Sequence, residues 1–550
     1  MSDCTDKIDS SQKDTRPKLQ GLQGFDPEHT EWMQVWLKRL ADEHALLTFM
    51  DPSPVAGISQ ALTALASNDP ARFQSLQSDV LPRMLSAFIR TDATDEDWLS
   101  LMDQCIAALP EVEDFDRSRV LWLIRQLQDS GRLVERVRTM LETKSINLEQ
   151  GIRHWQEDIV AGAVLPDTLR PETFRLGETL AATPGDVVFE NQLCQLIQYR
   201  PSTPAVAEHP MLLVPAFVNR YYILDLSPEM SMVRWLVSQG HTVFLISWVN
   251  PDAGLANYDV THYVLDGVLA ALDQMDRMLS GQPVQLAGYC AGGVLASIAA
   301  AWLAVRGEQR IVSLTLLTTL LDYSDAGPLG DLVTESSVDA LTQPLETLGY
   351  LPAELLLRTF ASLRPTDLMF ARGLHSYILG ERHKPLPLLH WLGDGTRTPA
   401  ALVLWILKSL YLENRLIDGE PLIIAGQSID LSKLDIPVFL FACQNDEIAP
   451  WASALHIANR FRGPVTCVLG QGGHNSGVVC PPDSARYDHF RMDGKQPTDL
   501  DRALHVKGSW WNSWSAFLTE TQGQASVPPA PGGGLRPVLE TAPGRYVRQR

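Results

Sequence analysis

Residues 283–305 read PVQLAGYCAGGVLASIAAAWLAV. Val284 to Tyr289 is an apolar run of strand length, and Ala291 to Val305 is an alanine-rich run of helix length. Between them stands Gly288-Tyr289-Cys290-Ala291-Gly292. This is the G-x-nucleophile-x-G spacing of a strand-turn-helix elbow, with a cysteine where serine usually sits. Small residues on both sides let the backbone reverse sharply and the helix pack close to the strand. A free cysteine is often only a small buried apolar side chain. The glycine spacing argues instead that Cys290 is a nucleophile held at the tip of the turn.

Working outward, five more short runs rich in Val, Ile and Leu are bounded by Gly, Pro or Asp. They are MLLVPAF (211–217), HTVFLISW (241–248), IVSLTLLTTL (311–320), IPVFLFA (436–442) and PVTCVLG (464–470). Most are separated by helix-length segments, the pattern of βαβ units and of a parallel sheet covered on both faces. About a hundred residues between the third and fourth of these runs are too many for one crossover, so an inserted cap is expected at about 323–433. Upstream, WMQVWLKRLADEHALLTFM (32–50) and SRVLWLIRQLQDSGRLVERVRTML (118–141) carry helical periodicity. Residues 1–145 are therefore expected to form a mainly helical region and 146–525 a catalytic α/β domain. Residues 526–550, rich in Pro and Gly, are expected to form a flexible tail.

A thiol nucleophile needs a base. Sheets of this kind supply the remaining partners in the chain order nucleophile, acid, histidine. Asp446 follows the run 436–442 and His474 follows the run 464–470, so both fall on loops at the same sheet end as Cys290. Glu447, Asp430 and Asp435 are acids near Asp446, and acidic loop residues are usually only solvated; His241 and His262 lack the strand-end context of His474 and read as surface or satisfied core residues. The two oxyanion donors are expected to be the backbone N–H groups of Ala291 and of Val218 in the VPAFVN loop. The residues that bind substrate are not readable.

Bulk properties narrow the function. The chain has 550 residues, 45% of them hydrophobic and 20% charged, which fits an ordinary globular protein. Its net charge of −20 repels nucleic acid and gives no general help to an anionic substrate. Residues 1–18 are polar, and the run 291–305 is too short to span a bilayer, so a cytoplasmic protein without integral membrane association is expected. Seven cysteines without C-x-x-C spacing argue against a disulfide framework or structural zinc. Phosphate-loop, zincin and dinucleotide signatures are missing, so neither metal nor cofactor is expected. Three tryptophans in GSWWNSWSAFL (508–518) read as packing.

The cysteine also indicates the reaction class. An acyl-cysteine is a thioester, so transfer from a thioester donor such as acyl-coenzyme A is nearly isoenergetic and keeps the acyl group activated for a hydroxyl acceptor. At this point the sequence resembles the polyhydroxyalkanoate synthases, and the class I enzymes most. The likeness is carried by LAATPGDVVFENQLCQLIQYRPST (180–203), the run Asn219 to Ala253, GYCAGG, TLLTTLLDYSDAG (315–327), LRPTDLMF (363–370), GDGTRTPAA (393–401), DEIAPW, GHNSGVVCPP, GSWW and APGRYV (542–547). It covers about residues 145 to 550.

The resemblance implies an α/β-hydrolase fold with a cap, and a polymerase that takes (R)-3-hydroxyacyl-coenzyme A, releases coenzyme A and extends a polyester chain. Coenzyme A is then part of substrate and product, not a cofactor. The family's nucleophile, acid and histidine fall on Cys290, Asp446 and His474. A homodimer and a site of action on polymer granules are implied in the same way. Against the family's usual sequence, Glu447 replaces a histidine, Asn475 and Ser476 replace apolar residues beside His474, and Cys480 replaces an asparagine. A wetter site mouth is expected from Asn475 and Ser476. Glu447 is expected to repel anionic coenzyme A where it faces the way in. The alternatives are an acyl-thioester or polyester hydrolase on the same scaffold, and a catalytically impaired granule-bound homologue.

Overall fold

The computed structural model describes residues 147–550 apart from 365–367, 370, 485, 494–501 and 536. The helical region expected at 1–145 lies outside the described residues. The first described helix, α1 (Leu148–Val160), is followed by an antiparallel pair, β1 (Gly185–Glu190) and β2 (Cys194–Tyr199). Then come β3 (Met211–Val214), α2 (Met232–Ser238), β4 (Val243–Trp248), α3 (Ala270–Met278), β5 (Val284–Tyr289), α4 (Ala291–Val305) and β6 (Ile311–Leu317). After a long insertion the sheet resumes with β7 (Val438–Cys443), β8 (Val465–Gly470), β9 (His489–Asp493), β10 (Leu504–Val506) and β11 (Glu540–Thr541).

These strands form one 11-stranded sheet in the order β10-β9-β8-β7-β6-β5-β3-β4-β2-β1-β11. The six central strands, β8 to β4, run parallel and are the six runs singled out in the sequence. Helices cover both faces, which is why these strands are apolar throughout instead of alternating. Every residue of β3, β4, β5 and β7 is buried. The chain passes from β3 to β4 on one side and then crosses to β5 on the other, so the winding reverses between β3 and β5. A crevice at the carboxyl ends of such strands is where open α/β sheets bind ligands. The architecture is that of an α/β hydrolase.

Between β6 and β7 the insertion carries α5 (Glu335–Leu348), α6 (Ala353–Ser362), α7 (Pro387–Gly393) and α8 (Ala400–Trp405). It is tied to α1 by buried charges. Arg382 donates to Asp158 at 2.7 Å and to Asp167 at 3.1 Å, and His154 Nδ1 lies 3.1 Å from the Ser376 carbonyl. Removing one partner of such a buried set costs roughly 3–5 kcal/mol, because the other charge is left uncompensated.

The expectation of a flexible tail is corrected. Leu539 N donates to Val187 O and Ala542 N to Gly185 O, both at 2.9 Å, which adds β11 to the sheet edge. The reason lies in β2, whose Gln195 and Gln198 are buried side chains that need partners. Gln198 donates to Ala530 O at 3.2 Å and accepts from Gly532 N at 2.8 Å, and Gln195 accepts from Tyr546 N at 3.2 Å. A segment without regular structure of its own is thus ordered by a neighbour that requires its backbone. The tryptophans, by contrast, are core as read: Trp511 and Trp514 are fully buried. His262 caps a short helix with Asp259, whereas His241 is buried, its Nδ1 without a hydrogen bond among the described residues, and burial pushes it down to about 4.

Two outcomes follow from this packing. A Cβ on Gly288 would lie 2.4 Å from Gly293 Cα, so Gly288→Ala should lower stability by about 1–3 kcal/mol, read as the urea midpoint. In hydrogen exchange, the Leu539 and Ala542 amides should be protected; exchange at the rate of free peptide would contradict the docked tail.

Candidate active site

The elbow is built as its spacing predicts. Cys290 closes β5 and opens α4 with φ 53° and ψ −126°, a strained region for a residue other than glycine. The strain is held from several sides. Cys290 N donates to Leu317 O at 2.9 Å, and its carbonyl accepts from Gly293 N at 2.9 Å and Thr319 Oγ1 at 3.3 Å. A Cβ on Gly292 would fall 2.2 Å from Val214 O and 2.4 Å from Pro215 O. Helix α4 therefore starts in direct contact with the loop after β3, and the half-buried Cys290 sits at the N-terminal end of a 15-residue helix.

Asp446 and His474 meet as the chain order requires. Asp446 Oδ2 lies 2.8 Å from His474 Nδ1, with side-chain exposures of 0% and 7%. Its other oxygen accepts from Ile448 N at 2.9 Å and Ala449 N at 2.8 Å, which fixes the carboxylate. The carboxylate accepts the hydrogen bond of Nδ1–H, leaving Nε2 as the reactive nitrogen. Nε2 makes no hydrogen bond of ordinary geometry among the described residues. Burial works to lower the His474 pKa, but Asp446 and then Cys290 outweigh it and hold the imidazole well above its usual range. The His474 loop is supported from below, where Trp510 Nε1 donates to Gly477 O at 2.9 Å and Trp511 Nε1 to Val478 O at 3.0 Å.

Ala291 is the first residue of α4, where backbone N–H groups precede the intrahelical bonds, and the Val218 N–H has no hydrogen-bond partner among the described residues. Both residues pack against the two main apolar clusters, one on each side of the sheet. Their loops are brought together by the Gly292 contact with Val214 and Pro215.

The expectation of a wetter mouth is corrected. Asn475 Oδ1 accepts the buried Tyr289 hydroxyl at 2.5 Å, and Ser476 Oγ accepts Gly473 N–H at 3.2 Å, so both side chains turn back on the protein. Glu447 does not stand alone either: its Oε2 is 4.0 Å from Arg364 Nε of the insertion, both half-exposed. Cys480 is buried, its sulfur 3.7 Å from Ser484 Oγ.

The structure adds residues that the sequence did not mark. Tyr289, beside the nucleophile, has its ring 5.9 Å from that of His474, and burial pushes its phenol well up, so it stays a donor. From the insertion, Tyr323 and Tyr411 pack at 4.8 Å. Burial, and after it charge on neighbours that include Cys290, pushes both phenols upward. The tyrosine beside Cys290 was visible in the motif. No local signal pointed to the other two, which lie far apart in sequence within the insertion. Among the described residues no three metal-ligating side chains cluster, and no helix is long and apolar enough to cross a membrane.

With this geometry in view, comparison with known proteins is informative. A family model described as the N-terminus of poly-beta-hydroxybutyrate polymerase (PhaC) matches residues 88–236, and one described as a protein of unknown function matches residues 230–463. The poly(3-hydroxyalkanoate) polymerase subunit PhaC of Cupriavidus necator is 38% identical over 462 residues, 81% of this chain and 78% of that one. The corresponding subunit of Rhizobium meliloti is 34% identical over 528 residues, 93% of this chain and 85% of that one. The poly(3-hydroxyalkanoate) polymerase of Methylorubrum extorquens is 37% identical over 422 residues, 76% and 70% of the two chains. Likeness of this extent places the protein in the poly(3-hydroxyalkanoate) polymerase family.

Proposed function

We propose that this member of the family is a polyester synthase that polymerises (R)-3-hydroxyacyl units from their coenzyme A thioesters, with Cys290 as nucleophile, His474 as proton carrier and Asp446 as its orienting anion. The observation that carries the site assignment is the buried 2.8 Å Asp446–His474 contact that leaves Nε2 for the cysteine on the elbow. In the first step, Nε2 takes the thiol proton and Cys290 Sγ bonds to the thioester carbonyl carbon. The developing oxyanion is met by the amides of Ala291 and Val218. The carbon–sulfur bond to coenzyme A then breaks, and the departing thiolate receives the proton from Nε2. The acyl group is left on Cys290 as a thioester of similar energy.

In the second step the hydroxyl of an incoming hydroxyacyl-coenzyme A gives its proton to Nε2 and attacks that thioester. An oxygen ester forms, Cys290 leaves and takes the proton back from Nε2, and the lengthened chain, now a coenzyme A thioester, returns to Cys290 by the first step. Thioester to oxygen ester is downhill, which drives chain growth. A hydrolase gains nothing from an acyl-thioester, so the cysteine favours the synthase reading. On the same reading no separate cofactor is needed, and the chain works as a homodimer at the surface of polymer granules in the cytoplasm. These features follow from the likeness to the family.

Cys290→Ala should abolish release of coenzyme A from (R)-3-hydroxybutyryl-coenzyme A, a loss of about 10³-fold or more, measured with a thiol reagent. Retained turnover would refute the nucleophile. The His474–Asp446 pair also predicts a pH dependence of stability. The folded pKa of His474 is raised above the ordinary 6.5, so the pair's contribution is fully present below about pH 6.5 and is lost as pH rises through the folded value. In Asp446→Asn a raising influence is gone and burial dominates. The fall in urea midpoint between pH 6 and the alkaline side should therefore be smaller than in the parent protein.

A further inference from the structure

The peptide joining Phe217 to Val218 is held from the insertion, at a distance in sequence that no motif reveals. Thr396 Oγ1, itself buried, donates to Phe217 O at 3.0 Å. A trans peptide is planar, with its C=O and N–H on opposite sides. Fixing the Phe217 carbonyl therefore fixes the direction of the Val218 N–H, the amide proposed as an oxyanion donor. On the other side of Val218, Trp391 Nε1 donates to Arg220 O at 2.7 Å. The carbonyl of the donor's own peptide and that of Arg220, two residues beyond Val218, are thus held by one stretch of the insertion, residues 391–396.

That stretch has its own anchor. Asp394 Oδ1 lies 2.9 Å from Arg220 Nε, with side-chain exposures of 2% and 3%. The same carboxylate receives the Tyr222 hydroxyl at 2.9 Å and Arg550 Nη1 at 2.7 Å. The remaining guanidinium nitrogens of Arg220 donate to Val547 O at 2.8 Å and Gln549 O at 2.6 Å. Residues 547–550 therefore strap Arg220 and Asp394 together: both terminal nitrogens of the buried guanidinium donate to the strap, and Nε faces the Asp394 carboxylate as an ion pair. A buried arginine ion-paired to Asp394 and a hydroxyl bonded to the carbonyl before Val218 form one support.

We infer that Thr396, anchored through Asp394 and Arg220, is a positioning residue that sets the Val218 amide for acyl transfer. The inference rests on the site reading given above and deepens it. It makes the insertion part of the catalytic apparatus and not only a cover over it. It also gives the 547–550 segment a mechanical task at the site.

The test is Thr396→Val in the full chain, a change that keeps the shape and deletes the hydroxyl, beside Thr396→Ser, which keeps the hydroxyl. Thr396→Val should lower kcat for release of coenzyme A from (R)-3-hydroxybutyryl-coenzyme A by roughly 10- to 100-fold with KM little changed. Thr396→Ser should restore most of it. Alkylation of Cys290 by iodoacetamide should proceed at the parent rate in both, since the nucleophile and His474 are untouched. Asp394→Asn should lower kcat in the same sense, and its effect should not add to that of Thr396→Val, because the two act through one support. If kcat in Thr396→Val and Asp394→Asn stays within about twofold of the parent, the inference is wrong while Cys290 and His474 stand. It is equally wrong if kcat and alkylation fall together with the urea midpoint, which is what a merely structural role would give. Failure of the site reading has a different signature, namely turnover that survives Cys290→Ala.

Discussion

A reversal with no room for side chains governs this structure. The chain leaves β5, turns at Cys290 and enters α4 so tightly that a Cβ at Gly288 or Gly292 would overlap backbone atoms. That closeness seats the first turn of α4 on Val214 and Pro215, and so brings the loop after β3 beside the nucleophile. It also forces Cys290 into a strained conformation, which neighbouring hydrogen bonds from Gly293 and Thr319 sustain. Position, exposure and the nearness of the two candidate oxyanion amides all descend from one geometric constraint.

The electrostatics complete what the turn begins. Taking a carboxylate out of water is costly unless it is bonded, and Asp446 is bonded three times, by two amides and by His474. The low-dielectric setting then makes its hold on the imidazole strong enough to overcome the burial that opposes protonation. Such a pair can receive a proton from a thiol and return it to a leaving group without solvent. The indole N–H groups beneath the His474 loop show the same economy: large side chains fill the core while their single polar atoms hold the loop.

Much of this was legible in the amino-acid sequence, and the divisions have physical causes. The six parallel strands were visible because burial on both faces makes them continuous apolar runs, and Cys290, Asp446 and His474 because each stands at the end of such a run. The edge strands β1, β2 and β9 to β11 were not, since they mix polar residues such as Gln195 and Gln198 whose burial depends on a partner hundreds of residues away. The tail was misjudged for the same reason: its composition is that of a linker, and its order comes from those glutamines. Asn475 and Ser476 looked like hydration of the site because polarity alone does not tell where a side chain turns. Nothing local ties Thr396 to Phe217 or Asp394 to Arg220, whose significance appears only when the insertion is folded over the sheet.

The most direct measurement is mass spectrometry of the peptide containing Cys290 after rapid quenching of the protein with (R)-3-hydroxybutyryl-coenzyme A, with the product sized in parallel. The account predicts a hydroxyacyl adduct on Cys290 that appears within the first turnover and lengthens by whole hydroxyacyl units as polyester accumulates. Free hydroxy acid formed without an adduct on Cys290 would contradict it.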